Sequence, residues 1–307
     1  MPIAQSVEKD PEVAKQRLLA EFAVAAAKPD FDPRIPSPEV NYNQQPTANY
    51  RDYFTEFVSL TVTRQMPELL RLAGFAEQAR EFVMLDYGCG LGRLAFAFTN
   101  FFGKDPSRRY IGYEIHPKAF AFLLQAYRQY PNVSIIGDSM SVDDSYVEIH
   151  EGAGARAGGS EPRIKAADVR LQGRIDVPLD LQFSHSVFTH MYRPPIVRVL
   201  TEVASLMKPE GICVNSWQLV DRFAESSMRC GLADRQLPYE YPDHGFLTYD
   251  RTNPLMCTAY RLEQVKAIYA AAGHEILDIQ WGTWTGRVPT QQITYQDVVI
   301  SRPIRHR

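Results

Sequence analysis

The chain has 307 residues, 45% hydrophobic and 22% charged, a balance that suits one large globular domain or two modest ones. It excludes disorder and collagen-like repetition. Thirty-three Lys and Arg stand against 36 Asp and Glu, a formal charge of −3, so no overall positive field draws the chain to nucleic acid or an anionic membrane.

From Pro11 to Lys28 the sequence is rich in helix formers, with Val13, Leu18, Leu19, Phe22 and Val24 on one helical face. Pro29, Pro33, Pro36, Pro38 and Pro46 then forbid continuous helix and predict an extended wrap or linker. Helical character returns over 50–80, with Tyr50, Tyr53, Phe54, Phe57 and Leu60 at three- and four-residue steps. Residues 1–80 are therefore expected to form a helical N-terminal extension.

Beyond Glu81 short apolar runs alternate with helical segments, the pattern of a parallel sheet built from strand–helix–strand units. FVMLDYG (82–88) predicts strand one, LGRLAFAFTNFF (91–102) its helix stopped by Gly103, and RYIGYEI (109–115) strand two. Pro117 opens the next helix, and VSIIGD (133–138) is strand three. Residues 139–177 break the alternation with a glycine-rich run at 151–160 and read as an insertion. LDLQFS (179–184) is strand four, 194–208 a helix, and ICVNSW (212–217) strand five. Residues 218–259 read as irregular; a helix (261–273) and two strands (275–284 and 296–301) follow, leaving a basic tail at 302–307.

The four cysteines, Cys89, Cys213, Cys230 and Cys257, are scattered without a C-x-x-C pair and read as reduced thiols. No stretch approaches the roughly 20 apolar residues of a membrane span, and the N-terminus lacks a leader pattern, so the expected location is cytoplasmic. No H-E-x-x-H or similar spacing appears, and no metal is expected.

The informative window is VMLDYGCGLGR (83–93), where a buried strand ends in an acid and turns through Gly88, Gly90 and Gly92 into a helix. Glycine permits positive φ and close backbone approach, and the helix N-terminus offers N–H groups to something anionic or strongly polar. Dinucleotide binding wants G-x-G-x-x-G, but Arg93 stands where the third glycine belongs. Asp86 beside a pyrophosphate would repel it, whereas it suits the ammonium of an amino-acid ligand. Cys89 lacks an adjacent base or second thiol and reads as a small, inert loop residue.

On this window the sequence resembles the class I S-adenosylmethionine-dependent methyltransferases, whose first motif is acid-x-G-x-G-x-G. Glu114 lies 28 positions after Asp86 (114 − 86), Asp138 ends strand three in IIGDSM, and KPEG (208–211) resembles the family's KPGG turn except at Glu210. SVFTHM (186–191), WTGR (284–287) and Gln296-Asp297 bring it closest to a bacterial branch associated with small-molecule, sugar or polysaccharide modification. The resemblance spans about residues 80–301 and implies a doubly wound α/β fold: a seven-stranded, mostly parallel, Rossmann-like sheet with the last strand antiparallel, and residues 1–80 as a lid.

It further implies S-adenosyl-L-methionine as cofactor. Asp86, Gly88, Cys89, Gly90 and Gly92 would hold the methionyl end, Glu114 the ribose with Ile115 beside it, and Asp138, Ser139 and Met140 the adenine. Ser184 completes the set, and Arg93 either pairs with the cofactor carboxylate or caps local acids. The implied acceptor is a small molecule, recognised by residues 1–80, 139–177 and 218–259.

Methyl transfer needs positioning above all, and a base only where the acceptor must lose a proton. His185 and His190, just past strand four, are the candidates; the competing reading of each is a structural loop histidine. The aromatic stripe at 50–57 suits core packing, with one member reaching the site. Trp217, Trp281 and Trp284 suit burial, with stacking on a sugar as the alternative. The rival functions are a non-catalytic module on the same fold and a nicotinamide-dependent oxidoreductase. Nucleic-acid methylation is disfavoured by the charge and by the lack of N-P-P-[YF], and a homo-oligomeric state is left open.

Overall fold

The computed structural model describes residues 32–36, 61–75, 81–137, 171–288 and 295–304. The N-terminal helix at 11–28, the aromatic stripe at 50–57 and Asp138, Ser139 and Met140 lie outside the described residues. After a π-helical turn at Thr61–Gln65, helix α1 (Met66–Leu72) buries Met66, Leu69 and Leu70. The central units follow: β1 (Phe82–Tyr87), α2 (Arg93–Phe102), β2 (Arg108–Tyr113), α3 (Pro117–Ala126) and β3 (Val133–Ile136). Next come β4 (Leu179–Ser184), α4 (Arg193–Leu206) and β5 (Met207–Trp217).

The chain continues through β6 (Leu219–Val220), α5 (Arg222–Arg229), β7 (Tyr239–Tyr241), β8 (Phe246–Thr248) and β9 (Ala259–Arg261). It ends on α6 (Leu262–Ala271), β10 (His274–Gln280) and β11 (Asp297–Pro303).

Seven strands form one sheet in the order β10-β11-β5-β4-β1-β2-β3. The pairs β4–β5, β4–β1, β1–β2 and β2–β3 are parallel, and only β11 runs antiparallel to its neighbours. This is the doubly wound Rossmann-like α/β fold expected from the sequence. All six residues of β1 are buried, as a strand covered on both faces requires. The strand order reverses between β1 and β4, and in open α/β sheets ligands bind in the crevice at that point, outside the carboxyl ends of the strands.

Three local expectations are corrected. The KPEG segment is not a turn ahead of strand five: β5 begins at Met207 and takes these residues up as an irregularity, Leu179 pairing with Met207 and Leu181 with Ile212. Strand 275–284 stops at Gln280, because Gly282 and Trp284 turn their N–H groups onto Asp297. Residues 218–259 are not irregular; with β9 they form a second sheet in the order β6-β9-β8-β7, packed at the carboxyl edge beside α5.

That edge is tied down by Asp297. Its carboxylate accepts from Leu219 N at 2.8 Å, Gly282 N at 2.9 Å and Trp284 Nε1 at 2.6 Å, joining β11 to β6 and to the 281–288 loop. Burial outweighs these donors and pushes the Asp297 carboxyl up to about 6. Trp217 and Trp284 are fully buried, Trp217 packing edge-on to Phe188 and donating to Tyr269 Oη at 3.1 Å. Both meet the burial expectation. Trp281 is half-buried beneath the Arg287 guanidinium, 3.9 Å from its ring centroid. All four cysteines are unpaired, and only Cys230 is exposed.

Candidate active site at the carboxyl edge of the sheet

Parallel register sets Asp86 opposite both Gly112 of β2 and Phe183 of β4, so the acid stands one residue short of the end of its strand, at the reversal point of the sheet. Asp86 is 4% exposed and takes a 2.5 Å hydrogen bond from Tyr110 Oη. Burial, reinforced by the Glu114 carboxylate, outweighs that donor and the Arg93 charge and pushes Asp86 up to about 7. Residue type and spacing do not single out Tyr110. The β1–β2 register carries the signal, since Tyr110 precedes Gly112 by two and thus shares its face of the sheet.

Glu114 stands just past β2 and is equally buried. Its Oε1 accepts from Ile115 N at 2.9 Å and His116 N at 2.7 Å, and its Oε2 from Gly90 N at 2.7 Å. Burial raises its pKa against these three donors. One carboxylate thereby links the end of β2 to the glycine loop.

Gly88, Gly90 and Gly92 all take positive φ, at 77°, 57° and 82°. The close approach allowed at Gly88 and Gly92 is made by the protein itself. A Cβ on Gly88 would overlap Val187 Cγ2, and one on Gly92 would lie 2.6 Å from Leu123 Cδ2. The N–H groups of Gly88 and Cys89 point to Tyr113 O, that of Gly90 to Glu114 and that of Gly92 to Cys89 O. The donors expected to face a ligand along the loop thus have acceptors within the chain. The remaining donor-rich edge is the first turn of α2, which opens at Arg93. Cys89 is buried and its thiol is pushed up by desolvation, which agrees with an inert loop residue.

Val187 also fixes where the loop after β4 sits: it lies on the glycine loop, bringing residues 185–190 to the mouth of the crevice. Ser184, at the end of β4, turns its hydroxyl into the sheet onto Asn215 Oδ1 at 2.7 Å. His185 is half-buried, its ring 6.3 Å from that of Phe183, and burial together with the Arg93 charge pushes it well below the usual histidine range. His190 is half-buried on the Phe188–His190 turn, with Nδ1 2.8 Å from Leu255 O. Its pKa is lowered by burial, partly offset by that hydrogen bond, with Arg235 adding to the lowering.

The structure therefore gathers Asp86, the glycine loop, Arg93, Glu114, Ile115, Ser184 and His185 along one edge, with His190 one turn further out. The pair of buried carboxylates fits an S-adenosylmethionine-type ligand. A buried carboxyl raised to about 7 is stabilised in its charged form by an incoming ammonium. A carboxylate oxygen holding a single N–H, as Glu114 Oε2 does, retains lone-pair capacity for hydroxyl donors. Among the described residues no group of three His, Cys, Asp or Glu side chains is placed to hold a metal ion, and no helix is long and apolar enough to cross a membrane.

No family model matches the chain. Among solved structures it is similar to an S-adenosylmethionine-dependent methyltransferase from Clostridium acetobutylicum, at 10% identity over 82% of this chain and 92% of that one, with a TM-score of 0.46. It is similar to the CcbJ methyltransferase from Streptomyces caelestis at 12% identity, over 88% of this chain and 100% of that one, with a TM-score of 0.48. It is also similar to the mitomycin 7-O-methyltransferase MmcR at 16% identity, over 99% of this chain and 76% of that one, with a TM-score of 0.44.

Proposed function

We propose that this chain is an S-adenosylmethionine-dependent methyltransferase acting on a hydroxyl of a small-molecule acceptor, a sugar or a secondary metabolite. The observation that carries the reading is the pair of buried acids, Asp86 and Glu114, at the carboxyl ends of adjacent parallel strands beside a positive-φ glycine loop. Asp86 is the counter-charge for an ammonium, Glu114 the acceptor for ribose hydroxyls with Ile115 beside it, and Asp138, Ser139 and Met140 the adenine contacts. Gly88, Cys89, Gly90 and Gly92 shape the methionyl end with Arg93 at its rim, and Ser184 closes the floor through Asn215.

The bound cofactor supplies a methyl group on a sulfonium, a good leaving group for in-line displacement. The chain's own task is to orient the acceptor oxygen, exclude water and take up its proton; His185 and His190 are the candidates for the last of these, and His190 is favoured because burial and the Arg93 charge make His185 a weak base. Residues 1–80, 139–177 and 218–259 would select the acceptor.

The test is calorimetry with S-adenosylmethionine on the parent chain and on Glu114→Ala, with NADH as control. Saturable binding that weakens at least tenfold in the variant supports the reading; no heat from the sulfonium compound, or an unchanged affinity in the variant, overturns it. A chain that binds the compound yet releases no S-adenosylhomocysteine with any sugar or phenol offered is a binding module.

A further inference from the structure

Ser186 is the only non-glycine among the described residues with positive φ, at 58°, the left-handed region that costs an ordinary side chain of order 1 kcal/mol or more. It sits one residue before Val187, the side chain that lies on the glycine loop. Such a conformation persists only where the surroundings over-determine it, and around Ser186 they do. Ser186 N donates to Ser216 Oγ at 2.7 Å, and Ser216 Oγ donates to Gln296 Oε1 at 2.7 Å. This turns the amide group of Gln296 onto Ser186, Nε2 donating to Ser186 Oγ at 3.1 Å.

With the Gln296 amide oriented in this way, Oε1 toward Ser216 and Nε2 toward Ser186, the remaining bonds each take one direction. Leu255 O can only accept, so His190 Nδ1, 2.8 Å away, carries the ring proton, and Nε2 of the neutral ring holds a lone pair. Ser186 Oγ already accepts from Gln296, and His190 Nε2 stands 3.5 Å from it, the long limit of a hydrogen bond. Such contacts are often loose without substrate and tighten in the reacting complex. The chain Ser216, Gln296, Ser186, His190, Leu255 O runs donor to acceptor in one direction, from β5 and the start of β11 to the rim of the crevice.

We infer that Ser186 and Gln296 are functional: Ser186 is the hydroxyl through which an acceptor's proton reaches His190 Nε2, and Gln296 is the positioning residue that keeps the Ser186 proton aimed at that nitrogen. The inference rests on the proposed methyl transfer and deepens it, since a lone pair held at Nε2 suits an acceptor that must lose a proton, as the proposed hydroxyl does. The acceptor O–H bond breaks and its electron pair forms the new C–O bond to the methyl carbon. The released proton goes to Ser186 Oγ as the Ser186 proton moves to Nε2. The electron pair of the broken C–S bond stays on sulfur, so the positive charge of the sulfonium ends on the imidazolium.

Two variants of the full chain separate this from a structural role. Ser186→Gly relieves the positive-φ strain while deleting the hydroxyl, and Gln296→Glu keeps the shape but turns a donor into an acceptor. Side-chain nitrogen NMR of the ligand-free protein is expected to show His190 protonated at Nδ1, with the Nε2 signal moved in both variants and the Nδ1 proton retained. Turnover with a phenol or sugar acceptor is expected to fall at least tenfold in each, with S-adenosylmethionine affinity within twofold of the parent. A proton found on Nε2, an Nε2 signal unmoved in both variants, or parental turnover in Ser186→Gly overturns the inference. Because the NMR arm needs no ligand, it judges the relay even if the parent binds no S-adenosylmethionine, a result that would count against the proposed function instead.

Discussion

Replacing Asp86 by Asn removes a buried charge without changing the shape of the site. In the folded chain Asp86 titrates at about 7 instead of 3.8, because burial opposes its ionisation more than the Tyr110 hydroxyl favours it. A folded-state pKa raised above the unfolded value means stability that is complete below the unfolded pKa and is lost as pH rises through the folded one. Each pH unit of that gap corresponds to about 1.4 kcal/mol, so between pH 5 and pH 8 the ligand-free parent should lose about 2–3 kcal/mol through this group. Asp86→Asn cannot ionise, still accepts the Tyr110 hydrogen bond through its amide oxygen, and should lack that portion of the fall. Urea unfolding of both proteins at pH 5, 6.5 and 8 without ligand measures it. The expected result is an advantage for the variant that widens with pH, with weakened S-adenosylmethionine binding, since the neutral amide no longer answers an ammonium. Parallel stability profiles for the two proteins across this range would refute the reasoning.

Two further outcomes follow from the same geometry. Asp297→Ala leaves Leu219 N, Gly282 N and Trp284 Nε1 without their acceptor in a buried junction, and should cost about 3 kcal/mol or more in chemical unfolding. A loss below about 1 kcal/mol would mean that water replaces the carboxylate. Gly88→Ala places a Cβ against Val187 Cγ2 at a φ of 77°, and should lower stability by about 2–3 kcal/mol. Adding Val187→Ala should return the clash portion but not the roughly 1 kcal/mol of left-handed strain. Full additivity of the two substitutions in a double-mutant cycle would show that the two side chains do not meet.

Much of this architecture was legible in the residues. Strands β1, β2 and β4 and helices α2 and α3 are long apolar or amphipathic runs whose limits are marked by Gly103, Pro117 and the glycine loop, so local preference and tertiary outcome agree. The second sheet was not legible, since β6, β7, β8 and β9 hold only two or three residues each, too few for a period to emerge. The KPEG segment misled for a related reason: Pro209 and Gly211 signal a turn, while the sheet absorbs them as an irregularity of β5.

At the site, residue type and spacing picked out Asp86, Glu114 and the glycines, because a strand-end acid followed by glycines is a contiguous pattern. What the chain order alone could not provide is which partners meet them. Tyr110 reaches Asp86 through sheet register, Val187 fills the space that glycine opens, and Gln296 meets Ser186 across 110 positions. Charge, chemistry and helix or strand character are local properties and can be read along the chain. The titration of Asp86 near neutrality and the run of polar contacts from Ser216 through Gln296, Ser186 and His190 to Leu255 arise from burial and from contacts between distant segments, which exist only once the sheet has closed them together.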